Sequence, residues 1–127
     1  MTVAFWCVLI AIFLPYLGTA VAKGSGKYGL RDNHDPRAFL EQLQGVGKRA
    51  NAAQLNSFEV TPAFAAAVLV AHVAGNAQLV TINVLAVLFI TSRLLYIICY
   101  LADWAVLRSL VWFVGMGLIA SFFFVSI

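Results

Sequence analysis

The chain alternates long apolar stretches with shorter polar ones, and the apolar stretches exceed what a soluble core uses. The first, Val3 to Ala22, carries no charged residue. At about 20 residues it is long enough to cross a hydrocarbon layer roughly 30 Å thick as a helix. A polar connection follows from Lys23 to roughly Gly47, punctuated by Gly24-Ser25-Gly26 and Asp32-Asn33-His34-Asp35-Pro36, both turn-prone. Within it, Asp35 ahead of Pro36 predicts a short helix over Arg37 to Gln44, lying near the membrane interface. A second helix is expected from Gly47 to Ala74, polar at first (Lys48, Arg49, Asn51, Gln54, Asn56, Glu59) and alanine-rich afterwards. Pro62 should kink it or end a turn, because proline removes one backbone hydrogen bond. Gly75-Asn76-Ala77-Gln78 predicts a tight turn into a third helix, Leu79 to Leu101. After a short connection around Asp103, a fourth runs from Ala105 to Ile127. The pattern predicts one all-α domain over residues 1–127, an integral membrane four-helix bundle with helices at 3–22, 47–74, 79–101 and 105–127.

The first stretch competes with a secretory signal, since Ala20-Val21-Ala22 resembles a cleavage site. Its head, Met1-Thr2, has no lysine or arginine, and its apolar run exceeds the usual length of about 7–15 residues. A retained helix is expected.

Composition supports the membrane reading. The 127 residues are 63% hydrophobic and 10% charged, against about 25% charged in soluble domains. The net charge is +3, and Lys23, Lys27, Arg31, Arg37, Lys48 and Arg49 all lie between the first two apolar stretches. Asp32, Asp35 and Glu41 are interleaved with them, so no nucleic-acid surface is expected. Instead, the positive-inside rule makes this connection and the one at Asp103 cytoplasmic, with both termini outside. Cys7 and Cys99 sit alone within apolar runs. They suggest neither a disulfide framework nor a metal site, but small packing residues.

A charge near the bilayer centre costs about 2.5–3.5 kcal/mol on insertion scales, so each needs a reason. Arg49, Asn56, Glu59 and Ala63 share one face of the second helix; Arg93, Tyr96 and Tyr100 share one face of the third. Two readings account for these stripes. One is an interhelical clamp in which Glu59 pairs with Arg93 and Asn56 bonds across helices, with contacts averaging about 0.6 kcal/mol. The other is a ligand site open to the cytoplasm and the lipid, which such a clamp would also preorganise. Elsewhere, His72 reads as an interface residue beside the outer turn and His34 as a loop residue. Trp6, Trp104 and Trp112 read as anchors or packing aromatics. Gly115, Gly117, Ala120 and Ser121 suggest a close-packing face on the fourth helix.

The segment Arg49-Ala-Asn-Ala-Ala-Gln54-Leu-Asn56-Ser-Phe-Glu59-Val-Thr-Pro62-Ala-Phe64 resembles the second-helix signature of the MAPEG family, the membrane-associated proteins of eicosanoid and glutathione metabolism. Arg93-Leu-Leu-Tyr96-Ile-Ile-Cys-Tyr100-Leu resembles its third-helix signature. Length, helix order and the charged first connection fit as well, most like the short bacterial members, a resemblance that implies a bacterial inner membrane. The resemblance implies a homotrimer with sites between subunits. There, glutathione enters as co-substrate from the cytoplasm and attacks a small lipophilic molecule arriving through the bilayer. It implies that Arg49, Asn56, Glu59, Arg93, Tyr96 and Tyr100 hold the peptide. It implies that Arg108, at the start of the fourth helix, is the catalytic group stabilising the thiolate. A free thiol titrates near pKa 8.5, and a neighbouring guanidinium lowers that value. The match departs at two positions: Ala52 stands where enzymatic members usually carry another arginine, and Val60 where a tyrosine often follows the glutamate.

Three functional classes follow. A glutathione transferase or peroxidase would lose thiol conjugation on Arg108→Ala. A non-enzymatic membrane protein would bind a lipid or partner on the same scaffold without turnover. A small proton-coupled exporter would need Glu59 for efflux; it fits least, because the first helix has no acid and Glu59 has arginines to pair with.

Overall fold

The computed structural model describes all of residues 1–127 and contains helices without strands. The first apolar stretch forms α1 (Val3–Phe13) and α2 (Pro15–Ser25), together long and apolar enough to cross a membrane. The polar connection holds a short 3₁₀ helix, Leu30–His34, and α3 (Pro36–Glu41), whose first turn is capped by Asp35 accepting from the Ala38 N–H at 3.1 Å. Then come α4 (Gly45–Ala74), α5 (Leu79–Leu101) and α6 (Ala105–Phe124), each also of membrane-crossing length and apolarity. Four spans result.

The break between α1 and α2 is set by Pro15. With no N–H, Pro15 leaves the Ala11 carbonyl without its intrahelical donor. Thr61 on α4 supplies a substitute: its hydroxyl lies 3.2 Å from the Ala11 oxygen and 2.7 Å from the Ser57 oxygen of its own helix. A freed carbonyl in hydrocarbon needs such a neighbour, since water is absent there. Pro62, expected to kink the second helix or end a turn, lies inside the continuous α4.

Small residues let the first span approach α4 closely. A Cβ on Gly18 would lie 2.8 Å from the Ala50 carbonyl oxygen and 3.2 Å from Gln54 Cβ, so only glycine fits there. Ala22 and Ala50 are fully buried beside it, and the Thr19 hydroxyl donates to Gln54 Oε1. From the middle toward the other end, Ala11, Cys7 and Ala4 belong to the same buried cluster as Ala67 and Ala71. Large side chains fill the space between α4, α5 and α6. Phe64 stacks on Phe89 with ring centroids 4.1 Å apart, and Phe122 meets Phe64 edge-on at 6.0 Å. In lipid, where no hydrophobic driving force brings helices together, this complementarity of small and large residues holds the bundle.

The inner face of α6 is Gly115, Ile119 and Phe122. Gly115 approaches Ser92 and Phe89 of α5. Of the close-packing face expected from sequence, only Gly115 packs this way; a Cβ on Gly117 would meet nothing, and Ala120 is exposed. The reason is helical phase, because residues two apart point about 200° apart around the axis. Outward positions such as Leu88, Leu95, Leu110 and Phe113 are large and exposed. Rows of this kind are rare on soluble monomers and belong against lipid. Cys7 and Cys99 are both buried and unbonded, as packing residues.

The two ends of the bundle differ in chemistry. The end carrying both termini and the 75–78 turn uses neutral groups. Thr2 Oγ1 accepts from the Phe5 N–H at 3.3 Å and lies 3.0 Å from His72 Nε2, while His72 Nδ1 lies 2.8 Å from the Val68 carbonyl. Because a carbonyl only accepts, Nδ1 carries a proton and donates to it; in the neutral ring Nε2 then accepts from Thr2, a tautomer assigned from the bonding pattern. The Asn83 amide oxygen takes the Ala4 N–H at 3.0 Å, and Asn76 donates to the Ser126 carbonyl at 3.1 Å. At the other end lie the long polar connection, the short α5–α6 elbow and the arginines.

Candidate functional site

At the polar end α4, α5 and α6 converge around two guanidinium groups and two phenols. On α5 the spacing of three and four residues puts Arg93, Tyr96 and Tyr100 on one face. Arg93 is 4% exposed, and its Nη2 donates to Asn56 Oδ1 at 2.8 Å and to Ser57 Oγ at 3.2 Å, both on α4. The same guanidinium lies 4.2 Å from the Tyr96 ring centroid. Tyr96 and Tyr100 meet edge-to-face at 5.6 Å, and Arg108 from the first turn of α6 lies 4.3 Å from the Tyr100 ring. The four residues form a continuous ladder of cation, ring, ring and cation. Each cation–π contact is worth about 0.5–1 kcal/mol when exposed and about 2 when desolvated.

The interhelical clamp expected from the sequence exists in altered form. Its Asn56 half is present, but Arg93 bonds Ser57 rather than Glu59, and Glu59 is exposed. Ser57 was passed over because it is small and lies off the stripe drawn through Asn56 and Glu59. One position along a helix turns the side chain by about 100°, and that rotation brings Ser57 under Arg93.

Beside the ladder is a cleft of about 240 Å³ lined by Asn56, Tyr96, Tyr100, Arg108, Ser109, Trp112 and Phe113. Four of the seven residues singled out from the sequence therefore come together: Asn56, Tyr96, Tyr100 and Arg108. Arg93 lies directly behind them through its contacts with Asn56 and Tyr96. Glu59 and Arg49 stand outside the lining. Arg49 is half-buried and directs Nε and Nη2 to the Leu101 carbonyl at 3.4 and 3.2 Å. Three lining residues escaped the sequence reading of the site: Ser109, Trp112 and Phe113. The signal for them was available, since Trp112 is four residues after Arg108 and Phe113 four after Ser109, spacings that keep a helical face.

The cleft joins two chemistries. One wall carries a guanidinium, two phenols and an amide, able to take up negative charge and donate hydrogen bonds. The other wall is Trp112 and Phe113, and Phe113 is 66% exposed. A second concavity of about 400 Å³ lies at the same end between α3 and α4, lined by Arg37, Leu40, Glu41, Asn51, Gln54, Leu55 and Phe58. No group of three or more histidine, cysteine or acidic side chains is placed to hold a metal ion.

The model of the MAPEG family matches residues 3–127, essentially the whole chain. No curated protein and no solved structure matches it significantly.

Proposed function

Because the chain belongs to the MAPEG family, we propose that this integral membrane protein binds glutathione in the Tyr96–Tyr100–Arg108 cleft and joins it through its sulfur to a lipophilic electrophile. The observation that carries the reading is the meeting of a cationic, phenolic wall with an aromatic wall open to lipid. An anionic peptide fits the first wall and an apolar acceptor the second.

In this reading Arg108 holds the sulfur as thiolate. At neutral pH a thiol with pKa near 8.5 is mostly protonated, and a guanidinium beside it favours the anion. The Tyr96 and Tyr100 hydroxyls supply hydrogen bonds to the sulfur or a carboxylate. Arg93 contributes positive charge from behind and holds Asn56 in place. The thiolate then attacks the electrophilic carbon, forming the C–S bond while the leaving group departs. Glu59, exposed one turn along from Asn56, is the acid available to the peptide's ammonium group.

Ligand pockets usually run to about 300–1,000 Å³, and the cleft at about 240 Å³ falls short. A tripeptide and an acceptor need more surface than one chain provides. This supports a homotrimer in which a neighbouring copy completes each site. The six basic residues from Lys23 to Arg49 support a cytoplasmic polar end by the positive-inside rule, and in this reading the membrane is a bacterial inner one. Glutathione would reach the site from that side and the acceptor from the bilayer.

The test is equilibrium binding of glutathione to detergent-purified protein, followed by turnover with a reactive aryl halide, wild type beside Arg108→Ala. Binding with turnover that the variant loses supports the transferase reading. Absence of both overturns it in favour of a non-enzymatic protein holding a lipid or partner in the cleft. The specific observations behind that alternative are Ala52 and Val60, which add neither cation nor hydroxyl to the polar end.

A further inference from the structure

We propose that Arg49 is a positioning residue: it fixes the elbow between α5 and α6, and through that elbow the place of Arg108 over Tyr100. The proposal rests on the cleft assignment above and adds a mechanical role at its edge.

A helix end leaves its last carbonyls without intrahelical donors, so each must find another partner. At the end of α5 nearly all are met locally. The Ala102 N–H donates to the Ile98 carbonyl at 2.9 Å, the Asp103 N–H to Tyr100 at 3.2 Å and the Trp104 N–H to Cys99 at 2.9 Å. The last two bonds are those of a Schellman turn, which requires a left-handed residue just past the helix. Asp103 fills that position at φ 61°. The turn leaves out the Leu101 carbonyl, and Arg49 reaches it from α4 with two nitrogens at 3.4 and 3.2 Å. Its positive charge also suits the negative end of the α5 dipole.

The elbow has three residues, Ala102 to Trp104, and α6 begins at once, with the Arg108 N–H donating to the Trp104 carbonyl at 2.9 Å. Arg108 is therefore carried in the first turn beyond the elbow, and little slack separates the Leu101 carbonyl from the guanidinium. Holding that carbonyl fixes the direction in which α6 leaves and the 4.3 Å stacking of Arg108 on Tyr100. Arg49 itself lies outside the cleft lining.

The experiment is amide hydrogen exchange on the full chain in detergent, without ligand, comparing wild type with Arg49→Ala, Arg49→Met and Arg49→Lys. Loss of a charge-assisted bond predicts exchange about tenfold faster over residues 102–108 in Arg49→Ala. Arg49→Met, which keeps the apolar stem, behaves alike and carries the comparison if the alanine variant does not fold. Arg49→Lys, which keeps a charged donor, restores much of the protection. Unchanged exchange in this segment overturns the proposal. The second arm is glutathione binding to Arg49→Ala, Arg108→Ala and the double variant. A residue acting through Arg108 adds no loss in the double variant, whereas losses that multiply mean that Arg49 meets the ligand itself and overturn the positioning role. If the wild type binds no glutathione, the cleft assignment fails while the exchange comparison still decides the role of Arg49.

Discussion

The two ends of the bundle solve the same physical problem with opposite chemistry. Both must satisfy polar groups next to hydrocarbon. The end with the termini does so with neutral donors and acceptors matched one to another: Thr2 with His72, Asn83 with the start of α1, Asn76 with the end of the chain. The polar end gathers guanidinium groups on tyrosine rings and bonds Arg93 to neutral oxygens. Backbone strain follows the same division. Both non-glycine residues with left-handed backbone, Lys27 and Asp103, are at the polar end, while the 75–78 turn uses Gly75. An end closed by complete neutral pairs is built for stability. An end that concentrates positive charge and tolerates strain leaves something for an anion to complete.

The contrast breaks most sharply if the wrong end governs chemistry. Arg108→Ala is expected to lower thiol-conjugating turnover by about 100- to 1,000-fold, the usual cost of removing a group that stabilises a developing anion. Asn83→Ala at the far end should leave turnover unchanged, and steady-state assays on the pair decide it. Next in size is Arg93→Ala, which leaves Asn56 and Ser57 without their shared donor. It should cost about 1–3 kcal/mol of stability, read from unfolding in detergent, and weaken glutathione binding as well. A Thr2→Ala change removes the cap of α1 and the partner of His72 together. It should cost about 1 kcal/mol with no effect on ligand affinity; a fall in affinity would mean that the ends are coupled. The smallest effect is a gain. Asp103→Gly relieves a left-handed conformation costing roughly 1–2 kcal/mol, which exceeds the roughly 0.5–1 kcal/mol of chain entropy that glycine adds, so stability should rise slightly, visible as a higher melting temperature. A loss would show that the Asp103 side chain contributes more than its backbone costs.

Much of this was legible in the sequence for a simple reason. Membrane spans announce themselves by length and apolarity, so four helices could be placed, with α4 beginning two residues before its expected Gly47 and α6 ending at Phe124 rather than Ile127. The face of α5 bearing Arg93, Tyr96 and Tyr100 also followed from spacing alone. What spacing cannot give is which way neighbouring helices are rotated. Hence Arg93 meets Asn56 and Ser57 rather than Glu59, and Arg49 reaches the end of α5. The interruption at Pro15 was invisible for a related reason: its consequence depends on Thr61, 50 residues away from the carbonyl it serves.

That remote partnership bears on how the protein is made. While the first span is alone in the bilayer, the Ala11 carbonyl faces hydrocarbon unpaired, at a cost of several kcal/mol. The arrival of Thr61, whose one hydroxyl proton is shared with the Ser57 carbonyl, lowers that cost. The first two spans thus complete each other during biogenesis, and the first is a finished membrane segment only once its neighbour has been threaded in beside it.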